Sequence, residues 1–443
     1  GAVATNTAVG ASALAVNTTG YESVAVGSSA LDSNTTGFQN TAVGQNALTA
    51  NTTGTINVAV GTGALQSATT ADGNTAVGSG AQLFTTTGAG NVSVGRIALF
   101  YNTTGANNVA IGKEALFQNT TASSNTAVGY QSLYSYTNGS GGTVAVGYQA
   151  GYTTNGAYGT FVGQTAGYSS TGANATHIGF QAGYHTSTGT NNTSLGWSAL
   201  QGSPGASGAS NTALGAQALY SNTTASNNTA VGYQAGYSNT TARWNTCIGS
   251  QAGYSVTTGE ANTFVGNGYS PAGYSITTGS KNTIIGGYGG NQSGLDIRTS
   301  SNFIVLSDGD GNPRGWFTSG GLLKVVNASS AVESHAAGVN EINTAANDTN
   351  LLVRNTAASL TAARGGVDVV YSAAAPNGTT SNFYNASDTG GKRFEVRSNG
   401  GIGNYSANNV NLSDRREKTN FAPAKSYLDV ICAIPVQTFN YID

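Results

Sequence analysis

Few side chains in this 443-residue chain are equipped for chemistry. Charged residues make up 8 % of it, against roughly 25 % in an ordinary soluble domain. Residues 1–294 carry only Glu22, Asp32, Asp72, Glu114 and Glu260 as acids, and no spaced carboxylate pair stands out for glycan cleavage. "DGDGN" (308–312) alternates Asp308, Asp310 and Asn312 as a calcium loop does. Pro313 stands where that loop needs glycine and Ser319 where it needs its last glutamate, so the stretch reads as a hairpin turn. His177, in "THIG", takes a place that usually holds alanine. Three copies meeting on an axis could hold an anion or a metal there, but a lone histidine is far more often a packing or hydrogen-bonding residue. Cys247 and Cys432 fit no metal or redox spacing and read as free thiols, Cys247 as a small buried apolar residue. No metal and no cofactor is expected. The one dense charged run is Asp414, Arg415, Arg416, Glu417 and Lys418, inside "LSDRREKTN" (412–420).

The balance of the composition excludes several classes. A formal net charge of −2 gives no basic field for nucleic acid. No run of about 18 apolar residues is present, so membrane insertion is not expected. With only 6 Pro and a steady supply of Val, Ile, Leu, Tyr and Phe, the chain reads as ordered β structure rather than disorder. It has no Met and opens on "GAVATNTAVG", which reads as a fragment or processed product. The many Asn-x-Ser/Thr triplets follow from the Asn/Thr composition of the turns.

What must position these residues is a repeat. "NTAVG" and its variants place a landmark glycine at 10, 27, 44, 61 and onward to 286, 17 times in all, with a period near 17. A short fixed period means a solenoid. Each landmark follows Val, Ile or Leu (Val9 before Gly10, Val43 before Gly44, Val77 before Gly78), and Thr or Val usually stands two residues earlier. This alternation predicts a short strand per coil. Asn stands four residues before the glycine in 13 of the 17 copies, as Asn6, Asn40 and Asn74 do, and predicts a ladder of side-chain hydrogen bonds along the stack. The following "AL" or "AGY" reads as a second short strand or a corner, and "NTTG" as the closing turn.

The expected fold class is therefore all-β: an elongated β-roll or β-solenoid over 1–294. At roughly 4.8 Å per coil the stack is roughly 75–80 Å long. Its core is expected to be a thin row of Val, Leu and Ala, marginal for one chain. The small residues Ala8, Ala42, Ala76 and Ala127 would suit close approach of neighbouring chains, and a parallel homotrimer is the natural closed solution. Tyr152, Tyr168, Tyr184, Tyr237, Tyr254 and Tyr274 share one position and would form an aromatic strip. It would offer contact to a glycan or simply shield the corner. Trp197 and Trp244 lie beside the strands with the same ambiguity.

Beyond the repeat the charge rises. Residues 295–325 read as a β-hairpin cap or neck, 326–411 as a β-rich distal region, and 412–443 as a separate segment whose 425–431 stretch reads as a short helix.

Two resemblances accompany this pattern. The repeats of about residues 1–290 resemble the left-handed β-roll of trimeric autotransporter adhesin heads, whose coils carry a similar strand followed by small residues. "LSDRREKTN" with "FAPAKSYLDVICAIPVQTFNYID" resembles the start of the intramolecular-chaperone, autoprocessing domain that ends many phage tail fibres and tail spikes. That resemblance implies Ser413 as nucleophile, Lys418 as its base, and one self-cleavage at the Ser413–Asp414 bond. Here Glu417 stands where that family has an apolar residue, and 30 residues follow Ser413. It further implies an extracellular virion-tail protein. Its partners would be other virion tail proteins and a glycan or protein receptor on the host surface. A cellular surface adhesin or extracellular filament is the alternative.

Overall fold

A computed structural model describes residues 5–137, 140–321 and 323–325, together with the backbone of 382–388, 391–397 and 402–404. The chain divides into two units, Gly1–Glu341 and Ile342–Asp443. The first is a parallel β-solenoid. Seventeen three-residue strands, β1 (Thr7–Val9) to β17 (Thr283–Ile285), stack one per coil. They pair in register, so Thr41 lies beside Val58, Ala42 beside Ala59 and Val43 beside Val60. No helix occurs among the described residues. "AL" and "AGY" form a corner, not a second strand. Residues two and four places after the landmark glycine turn it with positive φ, as Asn46 (58°) and Leu48 (53°) do. The landmark glycine itself has no room for a side chain. At Gly44, φ is 136° and a Cβ would lie 2.6 Å from the backbone carbon of Gly61.

The expected orientation of the strands is reversed. Ala42, Ala59, Ala76 and Ala127 face the interior with no exposed surface, while Val43 and Val77 face outward and are half-buried. Ala8, in β1, is exposed, but in these coils alanine is thus core and does not face a neighbouring chain. The reason is the asparagine. Its amide must be buried where it can pair along the stack, and two residues on, alternation carries Ala inward and Val outward. The interior volume is then filled from the opposite corner by Leu31, Leu48, Leu65, Leu99, Leu116 and Leu133, all fully buried. A bulky residue at positive φ costs of order 1–3 kcal/mol. Burying a leucine returns about 2 kcal/mol.

Size is matched across this interior. Where a strand carries a large inward residue, the corner carries glycine. A Cβ on Gly167 would lie 2.2 Å from Phe161, on Gly183 2.4 Å from His177, and on Gly273 2.7 Å from Phe264. This accounts for the "AGY" spelling in those three coils; at Gly151 and Gly236 the inward strand residue is alanine, Ala145 and Ala230.

Two asparagine ladders run through the stack. In the expected one, Asn40 Oδ1 accepts from the backbone N–H of Asn57 (3.0 Å) and from its Nδ2 (3.1 Å), and Asn57 Nδ2 also donates to Ala71 O (2.7 Å). The same contacts link Asn57 to Asn74, Asn91, Asn108 and Asn125, and the ladder resumes from Asn192 to Asn282. The second ladder, inside the "NTTG" turns, was not expected. Asn34 Nδ2 donates to Asn17 Oδ1 (2.8 Å), and Asn51 Nδ2 to Asn34 Oδ1 (2.8 Å). It stops where Ala68 and Tyr136 replace the next asparagine, and there Asn51 Oδ1 and Asn119 Oδ1 are left buried without a partner.

The apolar interior is likewise segmented. One cluster runs from Ala25 to Ala81, a second from Ala98 to Ala175, a third from Ala199 to Trp316. Gln82 and Ser93 lie at the first break, with Gln82 Nε2 donating to Ser93 Oγ (3.0 Å). His177 and Ser194 lie at the second.

The far end is closed by a change of direction. After the short pair β18 (Asn291–Gln292) and β19 (Leu295–Asp296), β20 (Ile304–Ser307) adds an eighteenth parallel strand to β17. β21 (Pro313–Phe317) and β22 (Leu323–Val325) then continue antiparallel, and Trp316 is buried opposite Val305. Within the second unit, β23 (Asn382–Asp388), β24 (Gly391–Arg397) and β25 (Ile402–Asn404) form a three-stranded antiparallel sheet.

Two outcomes test this packing. Ala68→Asn supplies the missing rung to Asn51 and should raise stability by about 1 kcal/mol in chemical denaturation. No gain would mean that the Asn51 oxygen lacks nothing. Gly167→Leu should cost about 3 kcal/mol or more, and adding Phe161→Ala should recover at least half of the loss.

Candidate functional surface

The solenoid presents its strands on one side, and their outward residues form a continuous row. Val94 and Ile111 are 38 % exposed, Leu195 47 % and Ile285 50 %. The row passes onto the cap, where Ile304 pairs beside Thr283 and Leu306 beside Ile285. With Arg314, Gly315, Phe317 and Leu323, these two line a shallow apolar hollow of about 260 Å³. Thr or Val fills the other outward position of each strand, so no strand carries an outward charge from β1 to β17. The area is on the order of 1,000 Å² per chain, against about 800 Å² per partner in a standard interface.

The tyrosine strip is present and longer than the "AGY" motif indicated. Tyr152, Tyr168 and Tyr184 continue a run from Phe100, Phe117 and Tyr134, and Tyr237, Tyr254 and Tyr274 continue one from Tyr220. Gln201 separates the runs. The four added rings follow "AL" or "SL" spellings, so only counting from the landmark glycine would have found them. Centroids lie 4.9 to 5.4 Å apart and the rings are nearly parallel, 3° to 14°. Each ring inside a run therefore has both faces covered by its neighbours and turns its edge outward. A sugar that stacks on an aromatic face finds such a face only at the end of a run. Burial, then the neighbouring tyrosines, pushes the Tyr168 and Tyr237 hydroxyls above their ordinary range. Trp197 (51 % exposed) and Trp244 (55 %) stand apart from the strip.

His177, Cys247 and Asp308 are each held within the fold. His177 is wholly inside its own coil, not at an outer surface. Its Nδ1 pairs with Ser194 Oγ (2.8 Å) and its Nε2 with Thr186 Oγ1 (3.1 Å), while Phe161 stacks on the ring at 5.7 Å. The Cys247 thiol is buried and pushed up to about 12, so it is inert as a nucleophile. Asp308 closes the hairpin turn. It accepts from the N–H of Asn312 (2.9 Å) and of Asp310 (3.1 Å) and is paired with Arg314. The hydrogen bond from Asn312 contributes most to holding its carboxyl below the usual range. Arg314 thus engages a carboxylate oxygen that a calcium loop would turn to the ion. Among the described residues no group of three or more His, Cys, Asp or Glu side chains could hold a metal, and no helix is long and apolar enough to cross a membrane. Ser413, Asp414, Lys418 and Cys432, and the helix expected at 425–431, lie outside the described residues.

The His177 environment sets a pH dependence. Burial lowers its pKa from 6.5 to about 4. The unfolded chain therefore takes up the proton first, so stability present above pH 6.5 is lost as the pH falls through 4, by about 3 kcal/mol in full. The pair His177→Ala with Gly183→Leu, which restores an ordinary "AL" coil, should lose less stability than the wild type between pH 6.5 and 4. Groups common to both chains cancel in this difference. Equal slopes in chemical denaturation would refute the assignment. Comparison of the chain with protein-family models, with curated proteins and with solved structures gives no match in any of the three.

Proposed function

We propose that this chain is the shaft of a homotrimeric virion tail fibre that serves attachment to a host cell surface. The observation that carries the reading is the uncharged outward row on the strand side of the solenoid. One chain alone leaves it in water. Three copies, parallel and with their strand sides turned to a common axis, would bury it along the whole stack in a closed arrangement. The row is formed by the Val, Ile and Leu residues beside the landmark glycine, not by the alanines. The assignment to a virion rests on the resemblance of 412–420 to an autoprocessing fibre junction. It carries with it Ser413 as nucleophile, Lys418 as base and a single cleavage after assembly. The host-side partner would be a surface glycan or protein, and other tail proteins would hold the fibre at its far end. The repeat pattern also supports a second reading, a cellular trimeric adhesin or extracellular filament, in which no cleavage at residue 413 occurs.

Two measurements test these readings, the first the trimer they share and the second the cleavage that separates them. In sedimentation equilibrium the chain should run at three times its 44.3 kDa mass. Val43→Glu with Val77→Glu and Ile111→Glu should give monomers of unchanged circular dichroism, because the substituted side chains face outward. A wild-type monomer at all concentrations would overturn the fibre. Intact mass of the full-length gene product should show two fragments for the wild type and one for Ser413→Ala. A single uncut wild-type species would remove the autoprocessing step and favour the adhesin.

A further inference from the structure

Two residues before each strand, the chain turns through the left-handed region. From β2 to β17 every coil has positive φ there, and seven of these coils answer it with the residues that tolerate it, Gly73, Gly90, Gly142, Asn107, Asn174, Asn191 and Asn227. Three coils do the opposite. Ile56 (φ 60°), Tyr158 (59°) and Trp244 (59°) are bulky, and Ile56 is β-branched. The corner leucines are bulky at positive φ too, but they are fully buried. Ile56, Tyr158 and Trp244 are 57 %, 61 % and 55 % exposed. Within one chain, strain and solvent-exposed apolar surface coincide, and no burial offsets either.

Part of the opposite border of the same strand face is also apolar, while Gln45, Thr62, Arg96 and Lys113 make it polar in earlier coils. Two residues after their strands, Tyr148, Phe180, Trp197 and Tyr233 are 47 %, 41 %, 51 % and 49 % exposed. The uncharged strand face is thus flanked on both sides by aromatic residues in the coils from Tyr148 to Trp244. In three copies packed in parallel around an axis, the leading border of one strand face meets the trailing border of the next.

We infer that Ile56, Tyr158 and Trp244 are contacts between copies, each seated against the trailing border of a second copy of this chain. This deepens the trimeric reading and rests on it. The occupant is a second copy for two reasons. The residues border a face whose exposed area already matches what a stable interface needs, and they recur at one level of the repeat, as a partner with the same period requires. Strain that the monomer leaves unoffset is then offset on assembly.

The test uses the full chain and the triple variant Ile56→Asn, Tyr158→Asn and Trp244→Asn, which installs the residue the chain already uses at four equivalent positions. The variant should keep the circular dichroism of the wild type yet associate at least tenfold more weakly in sedimentation equilibrium. A control triple at exposed polar positions of the same column, Gln39→Asn, Ser124→Asn and Lys281→Asn, should associate as the wild type does. In a Trp197→Phe background, Trp244 emission should shift to the blue and lose acrylamide quenching as concentration rises, since Trp316 is already buried. If the wild type assembles and the triple variant assembles equally well, the contacts are elsewhere and this inference alone is lost. If the wild type never assembles, both this inference and the trimer are overturned.

Discussion

A buried carboxamide in nearly every coil is the constraint from which the rest follows. An asparagine inside a thin apolar interior is unfavourable unless its oxygen and nitrogen are both paired. Along the strand-side ladder each oxygen is paired with the adjacent coil: Asn40 with Asn57, Asn57 with Asn74. A coil is therefore complete only when its neighbours are present. The ladder fixes the vertical register, and through the two-residue alternation of the strand it also decides which side chains face inward. Alanine becomes core and valine becomes surface as a consequence of where the amide must lie.

The interior then works by complement. Leucine at a strained corner fills the space that alanine leaves on the strand, and glycine at the corner makes way for Phe161, His177 or Phe264. The outer surface divides by function in the same periodic way. One side stacks rings edge-outward into a sealed column. The strand side shows methyl groups without charge.

Much of the architecture was legible in the sequence because its signals are periodic. Landmark glycines, the strand beside each, the asparagine ladder and the tyrosine column all recur at a fixed offset, and a single chain displays that recurrence many times. The phase of the strand was not legible. "TAVG" alternates equally well with valine inside or outside, and hydrophobicity alone favours the wrong choice. The deciding term, the burial of an amide two residues away, is a tertiary one. The second ladder was hidden because "NTTG" is also good turn chemistry, so Asn17, Asn34 and Asn51 had a sufficient local explanation. The border residues Ile56, Tyr158 and Trp244 were hidden too, because their backbone conformation cannot be read from residue type. Ser413 and Lys418 rest on resemblance alone, and that evidence is independent of the solenoid.

A stack of near-identical coils has a problem of its own, for leaving one coil out of the stack as a loop brings together neighbours that make almost the same contacts. Glycines, valines and asparagines are all degenerate under such a slip. Gln82 and His177 are not. Leaving out the coil that follows would set the Gln82 amide against Ala110 instead of Ser93, and His177 against Ala213 instead of Ser194. Each mismatch leaves a buried polar group unpaired at about 1–3 kcal/mol. The two polar breaks in an otherwise apolar interior thus act as reading-frame marks. They give a periodic chain two places where only one alignment is satisfied.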